Sequence, residues 1–211
     1  MGDFCKNGVY FNVIGGVIVR MQLHFLCDEI VLPSWDPVSN KEIHAIGAEF
    51  FKKSGSCDRL IIPSSITTIR DCAFEYSHAK EVVWSDNCSK IPNSCFHGSG
   101  LQSISNIDGV TEVGPSAFGF SDIKEITWPS SCYDIPDSCF EHSHLERIYN
   151  IEHITSIGNH AFMELSHVED LNLAGVMSCT MGKGVFKGTD RRKVTFPYYM
   201  EEEPVYGTFA Y

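Results

Sequence analysis

Apolar residues recur along the chain in two alternating spellings. The first opens on an aliphatic residue and closes on an aromatic one: IGAEFF (46–51), IRDCAF (69–74), IPNSCF (91–96), VGPSAF (113–118), IPDSCF (135–140), IGNHAF (157–162) and MGKGVF (181–186). YGTFAY (206–211) is a degenerate eighth copy. The closing aromatics stand at 51, 74, 96, 118, 140, 162, 186 and 211, at intervals of 23, 22, 22, 22, 22, 24 and 25. The second spelling is φxxφxφ, φ being apolar, as in IKEITW (123–128) and VEDLNL (168–173); LQSISN (101–106) and LERIYN (145–150) end on Asn instead. Its alternating end has the period of a strand. A proline follows at Pro33, Pro63, Pro129 and Pro197, where it can end that strand. A fixed period of this length marks a solenoid, in which each coil lays an apolar side on the next.

A longer period runs through the same residues. WSDNCSKIPNSCF (84–96) resembles WPSSCYDIPDSCF (128–140), and 101–118 resembles 145–162, so a two-repeat unit is duplicated at an offset of 44. This gives the cysteines a plain role. Cys88 matches Cys132 and Cys95 matches Cys139, while Cys27 and Cys57 take the first φ of their strands. Cysteine at such positions is a small buried hydrophobe. The nine cysteines are odd in number and contain no CxxC pair, so reduced thiols are expected rather than a disulfide framework or a zinc knuckle.

Taken together, the pattern IPxxφxxIxxxAFxxSxLxxIxφP resembles the BspA-like, or Treponema pallidum-type, leucine-rich repeat over about residues 27 to 211. The resemblance implies a right-handed leucine-rich repeat solenoid with a parallel β-sheet on its concave face. Short helical turns would carry the Ala-Phe segments on the convex side, each Phe filling the interior. Residues 8–26 read as two alternating strands around Gly15-Gly16, the β-hairpin cap of such proteins. The expected division is a cap over 1–26 and one continuous solenoid over 27–211.

Charge narrows the function. With 27 acidic against 16 basic side chains the net charge is −11, which disfavours nucleic acid and anionic membranes as partners. The opening MGDFCKNGVYFNVIGGVIVRMQ lacks the positive start and unbroken apolar run of a secretory signal, and no run reaches the roughly 20 apolar residues of a membrane span. A cytoplasmic or nuclear location is therefore expected. His142, His144 and His167 fall in a polar turn rather than at metal-ligand spacing, and MGKGVFKG (181–188) lacks the ending of a phosphate loop. No Ser, His and Asp set stands out, so the expectation is a binding protein without metal, cofactor or catalytic residues.

The residue between the last two φ positions of each strand points away from the interior, because side chains alternate. Down the sheet these residues are Val31, Ile61, Val83, Ser105, Thr127, Tyr149, Asn172 and Thr195, a concave row that runs from apolar to polar.

One stretch carries a second message. In DRRKVTFP (190–197), Lys193-Val194-Thr195-Phe196 resembles the docking motif for protein phosphatase 1: a basic residue, optionally one spacer, Val or Ile, any residue, then Phe or Trp. The scaffold spells the same pattern at Lys80–Trp84 and Lys124–Trp128. The last copy differs in placing Arg191 at an apolar position and in its purely basic Arg192-Lys193 pair. The resemblance implies a regulatory or targeting partner of the phosphatase catalytic subunit, docked by strand addition. Val194 and Phe196 would be the anchors, and Arg191, Arg192 and Lys193 would face an acidic patch. Thr195, three residues after Arg192, would be a phosphorylation switch. Val194 and Phe196 cannot fill the solenoid core and the phosphatase pockets at once. The alternative is a BspA-like surface adhesin that binds host proteins through the concave face. Self-association through the C-terminal sheet edge is a third reading.

Overall fold

The structure, a computed structural model, describes residues 2–6, 8–23, 26–51 and 56–197; the degenerate repeat at 206–211 lies outside them. Each coil contributes a concave strand, a two-residue strand on a second sheet, and a convex turn. The concave strands are Cys27–Val31, Cys57–Ile61, Ala79–Val83, Ser103–Ser105, Glu125–Thr127, Arg147–Tyr149, Leu171–Asn172 and Val194–Thr195. Pairing is parallel and follows the sequence period, with Glu29, Arg59, Glu81 and Ser103 side by side. Glu125 and Arg147 continue the row, and a bridge joins Arg147 to Asp170. Leu60, Val82, Ile126, Leu171 and Val194 turn inward and are buried. The first coil is longer than the rest because a small hairpin, Trp35–Asp36 with Lys41–Glu42, is inserted after its concave strand.

The second sheet begins at Ala45–Ile46 and Thr68–Ile69 and continues through pairs such as Lys90↔Glu112 and Asp134↔Ser156↔Thr180. Its N-terminal end runs into the cap. Val17–Leu23 pairs parallel with Ala45–Ile46 and antiparallel with Val9–Ile14, across a turn in which Gly15 and Gly16 have φ of 60° and 80°. Those left-handed values suit glycine. The expected hairpin thus has a third strand, Gly2–Lys6, antiparallel to Val9–Ile14.

The convex segments are turns, not the expected helical turns. Two residues before each interior Phe the backbone is left-handed, at Cys72, Ser94, Ser116, Ser138 and His160, and again two residues after it at Tyr76, Phe120, His142 and Glu164. A left-handed residue every few positions interrupts a right-handed helix. It also turns alternate N–H groups toward the next coil. Cys72, Phe74 and Tyr76 donate to the carbonyls of Asn93, Cys95 and His97 at 3.0, 3.0 and 2.9 Å, and later coils repeat the scheme. The convex side is therefore a third hydrogen-bonded ladder between coils.

Inside runs the phenylalanine ladder. Phe74, Phe96, Phe118, Phe140, Phe162 and Phe186 stack face to face with centroids 5.2–5.8 Å apart and ring planes within 10° of parallel. All are fully buried. The duplicated unit is visible here too. Trp84 and Trp128 lie across Phe96 and Phe140, and each indole N–H donates to the carbonyl of a cysteine four residues on, Cys88 and Cys132.

Candidate protein-binding surface

The side chains of the concave row are exposed or half-buried. Val31 and Tyr149 are 45% and 46% exposed, Ile61 and Val83 are half-buried, and Ser105, Thr127, Asn172 and Thr195 are exposed. The Tyr149 hydroxyl donates to Glu125 Oε1 at 3.3 Å. The N-terminal half of the face is thus an open apolar strip and the C-terminal half a polar one.

A second concave row lies two residues earlier, at Glu29, Arg59, Glu81, Ser103, Glu125 and Arg147 within the strands, and at Asp170 and Lys193 just before the last two. Arg59 sits between Glu29 and Glu81 at 3.6 Å to each. Arg147 reaches Glu125 at 3.0 Å and also bonds Glu169. Beside this row Lys80 pairs with Asp58 at 2.7 Å, and the hydrogen bond to Asp58 raises the Lys80 ammonium pKa. No apolar residue marks this row along the chain. Opposite charges at an offset of 22, as at Arg59 and Glu81 or Glu125 and Arg147, are the signal that would have found it.

The docking residues sit at the last rung. Val194 and Phe196 are each 5% exposed and occupy interior positions, like Val82, Trp84, Ile126 and Trp128 of the two look-alikes. Val194–Thr195 pairs with Leu171–Asn172, and the Leu173 N–H donates to the Thr195 carbonyl at 2.8 Å. Thr195 is exposed on the concave row. The basic run is not extended: Arg191–Lys193 forms a 3-10 turn capped by Asp190. The Asp190 carboxylate takes the Arg192 guanidinium at 2.7–3.2 Å, and this bond pulls its pKa down to about 2. Arg191 does not enter the core at the apolar position of the repeat. It is exposed, with its guanidinium 4.7 Å above the Phe196 ring. That cation–π contact supplies the reason for an arginine that stacking alone did not give.

Other candidate chemistry is dispersed. His144 Nδ1 lies 3.1 Å from Asp122 Oδ1, and the His144 and His167 rings are 4.3 Å apart. Among the described residues no group of three His, Cys, Asp or Glu side chains is placed to hold a metal ion. The eight cysteines from Cys27 to Cys179 are free thiols. Burial pushes the Cys95 and Cys139 thiols well above their ordinary pKa, and Cys57 up to about 12.

The repeat spelling has a counterpart among known families. The BspA type leucine rich repeat region matches residues 44–169 and 89–204, in six copies. The chain belongs to that family. It is a family of repeat scaffolds, and no enzyme family is indicated. Solved structures share the fold. A Treponema pallidum leucine-rich repeat protein superposes with a TM-score of 0.72 at 18% identity, over 95% of this chain and 93% of that one. A leucine-rich cell surface protein from Faecalibacterium prausnitzii gives 0.66 at 21% identity, over 90% of this chain. The chain spans about half of that protein, 52% of its length. The pneumococcal vaccine antigen PcpA gives 0.51 at 20% identity, over 89% of this chain and 47% of that one. No curated protein sequence matches the chain.

Proposed function

We propose that the chain is a non-enzymatic binding module that holds a protein partner on its concave face, in the manner of a surface adhesin. The observation that carries this reading is the concave face itself. It is an open, regular surface with an apolar strip at Val31, Ile61 and Val83 and a charge ladder beside it. Apolar area flanked by oriented charge suits protein recognition, where buried apolar contacts give affinity and charges give register. Two of the solved neighbours are described as a cell surface protein and a vaccine antigen, which favours a surface location over a cytoplasmic or nuclear one. The phosphatase reading rests on spelling alone. The packing of the last coil accounts for Val194 and Phe196, and docking through them would require that coil to open.

Two measurements test the proposal. Protease treatment of intact producing cells, followed by peptide mapping, should release fragments of this chain. The soluble chain, presented to a panel of purified secreted host proteins, should bind at least one of them, and a Val83→Glu/Tyr149→Ala variant that folds normally should lose that binding. Protection on intact cells, or binding indifferent to the concave variant, would overturn it.

A further inference from the structure

The concave sheet has an unfinished edge beside the cap. All three cap strands join the second sheet, through Val17–Leu23 and Ala45–Ile46. The first concave strand, Cys27–Val31, is paired on one side only among the described residues, with Cys57–Ile61. In later coils the matching N–H donates backward to the preceding coil: Gln102 to the Lys80 carbonyl at 2.7 Å, Lys124 to Gln102 at 3.2 Å and Glu146 to Lys124 at 2.7 Å. Asp28 occupies that position in the first strand, so its N–H faces the side on which no strand lies among the described residues.

The side chains at this edge state what would fit. Asp28 and Glu29 are exposed, and Val31 is 45% exposed. Elsewhere on the face acids are matched by bases one coil away, as in Asp58 with Lys80 and Glu81 with Arg59. Among the described residues Glu29 is paired with Arg59, on its inner side. Asp28 has the like charge Asp58 as its inner neighbour, and Asp58 is already paired with Lys80. A strand added at the open edge would therefore be selected for basic residues. We infer that Cys27–Val31 is a docking edge for an extended, lysine- or arginine-bearing segment of a partner protein, which adds to the concave sheet as one more strand. This edge adjoins the concave surface proposed above and shares Val31 and Glu29 with it, but strand addition runs through the Asp28 backbone while the concave variant changes Val83 and Tyr149, so either can fail without the other.

The probe is an acetylated, amidated peptide alternating valine and lysine, with a valine–glutamate peptide of equal length as control. Added to the full chain, the lysine peptide should slow amide exchange at Asp28 and its strand neighbours, while the glutamate peptide should not. Salt should weaken the binding, since the selecting charges are exposed. Asp28→Lys reverses the edge charge and replaces a like charge level with Asp58 by an opposite one, so it should leave the unfolding midpoint no lower. It should weaken the lysine peptide by about tenfold. The inference is overturned if saturating peptide leaves exchange at 27–31 unchanged, or if Asp28→Lys binds as well as wild type. A chain that dimerises on its own, and that Asp28→Lys returns to monomer, also overturns it, because a second copy would then fill the edge.

Discussion

Phe186 and Phe196 meet edge to face, centroids 5.5 Å apart at 88°, whereas Phe162 and Phe186 are parallel to within 1°. The ladder thus ends on a ring turned across it, and Phe50 closes the other end against Phe74 at 87° in the same way. Phe118 has a stacked ring on each face, whereas Phe196 has one edge-to-face neighbour in the ladder. Phe118→Ala should cost about 3–5 kcal/mol and lower the denaturant midpoint of the whole chain. Phe196→Ala should cost less and act locally, speeding exchange of the Leu173 amide that donates to Thr195. Equal losses from both substitutions would mean that the coils do not unfold as a chain of neighbours.

The ladder and the concave strands were legible because one residue type returns at one interval. Phe74 to Phe162 carry the fold by repetition, and Val31 to Asn172 follow from strand alternation. The second sheet was not legible, since strands of two residues such as Thr68–Ile69 are shorter than any periodic signal. The convex turns were misread for a related reason. Their left-handed positions hold Cys72, Ser94, Tyr76 and Phe120, residue types that seldom adopt that conformation. Gly98, Gly184 and Gly188 at equivalent places were the hint. The docking spelling at Lys193–Phe196 shows the converse hazard. A strand that alternates Val and Phe inward reproduces a short motif without any partner having selected it.

A glycine rule couples neighbouring coils. A Cβ on Gly158 would stand 2.4 Å from both the N and Oδ1 of Asp137, and one on Gly114 or Gly182 would strike Asn93 or Asn159 similarly. Asp137 and Asn159 bond the next coil, Asp137 Oδ1 accepting from the Asn159 N–H at 2.7 Å and Asn159 Oδ1 from the Lys183 N–H at 2.8 Å, while the Asn93 amide donates back to Asp71 at 3.2 Å. Gly158→Ala should therefore destabilise by about 1–3 kcal/mol through overpacking. Gly109→Ala, whose nearest contact would be Asp86 O at 3.9 Å, should be neutral or slightly stabilising. Thermal melts of the two variants distinguish packing from backbone entropy.

Thiol chemistry should divide the cysteines by position. Cys95 and Cys139 are fully buried, and burial holds their thiols protonated far above neutral pH. Only the thiolate alkylates readily. Native chain treated with iodoacetamide at neutral pH should stay unmodified at both, while partly buried Cys72 reacts sooner. In denaturant all should label. Rapid native labelling of Cys139 would place the thiol outside the core.

The turn before the last rung should respond to acid. Asp190 has its pKa lowered to about 2 by Arg192, below the roughly 3.9 of a free aspartate. A group whose folded pKa is depressed stabilises above its unfolded value and loses that contribution as pH falls through the folded one. The Asp190–Arg192 contact should thus be intact above about pH 4 and lost on approach to pH 2. The Asp190 carboxyl resonance should titrate near the lower value, and Arg192→Ala should move its midpoint upward. A midpoint unchanged by that substitution would assign the shift to another group.

Arg147 separates stability from recognition. It bridges Glu125 and Glu169 on the concave face, and all three side chains are 40–52% exposed. Ion pairs so open to water are screened and add little to folding. Arg147→Glu should therefore shift the unfolding midpoint less than any substitution in the phenylalanine ladder. It would nevertheless place a third acid between two others, beside Tyr149, and turn the centre of the face uniformly negative. A partner steered by the alternating charges should associate more slowly with this variant, and the difference should shrink as salt rises. Association rates measured at two ionic strengths decide the matter. If Arg147→Glu binds a concave-face partner at the wild-type rate in low salt, the ladder is a structural brace alone and recognition lies with the apolar strip at Ile61 and Val83.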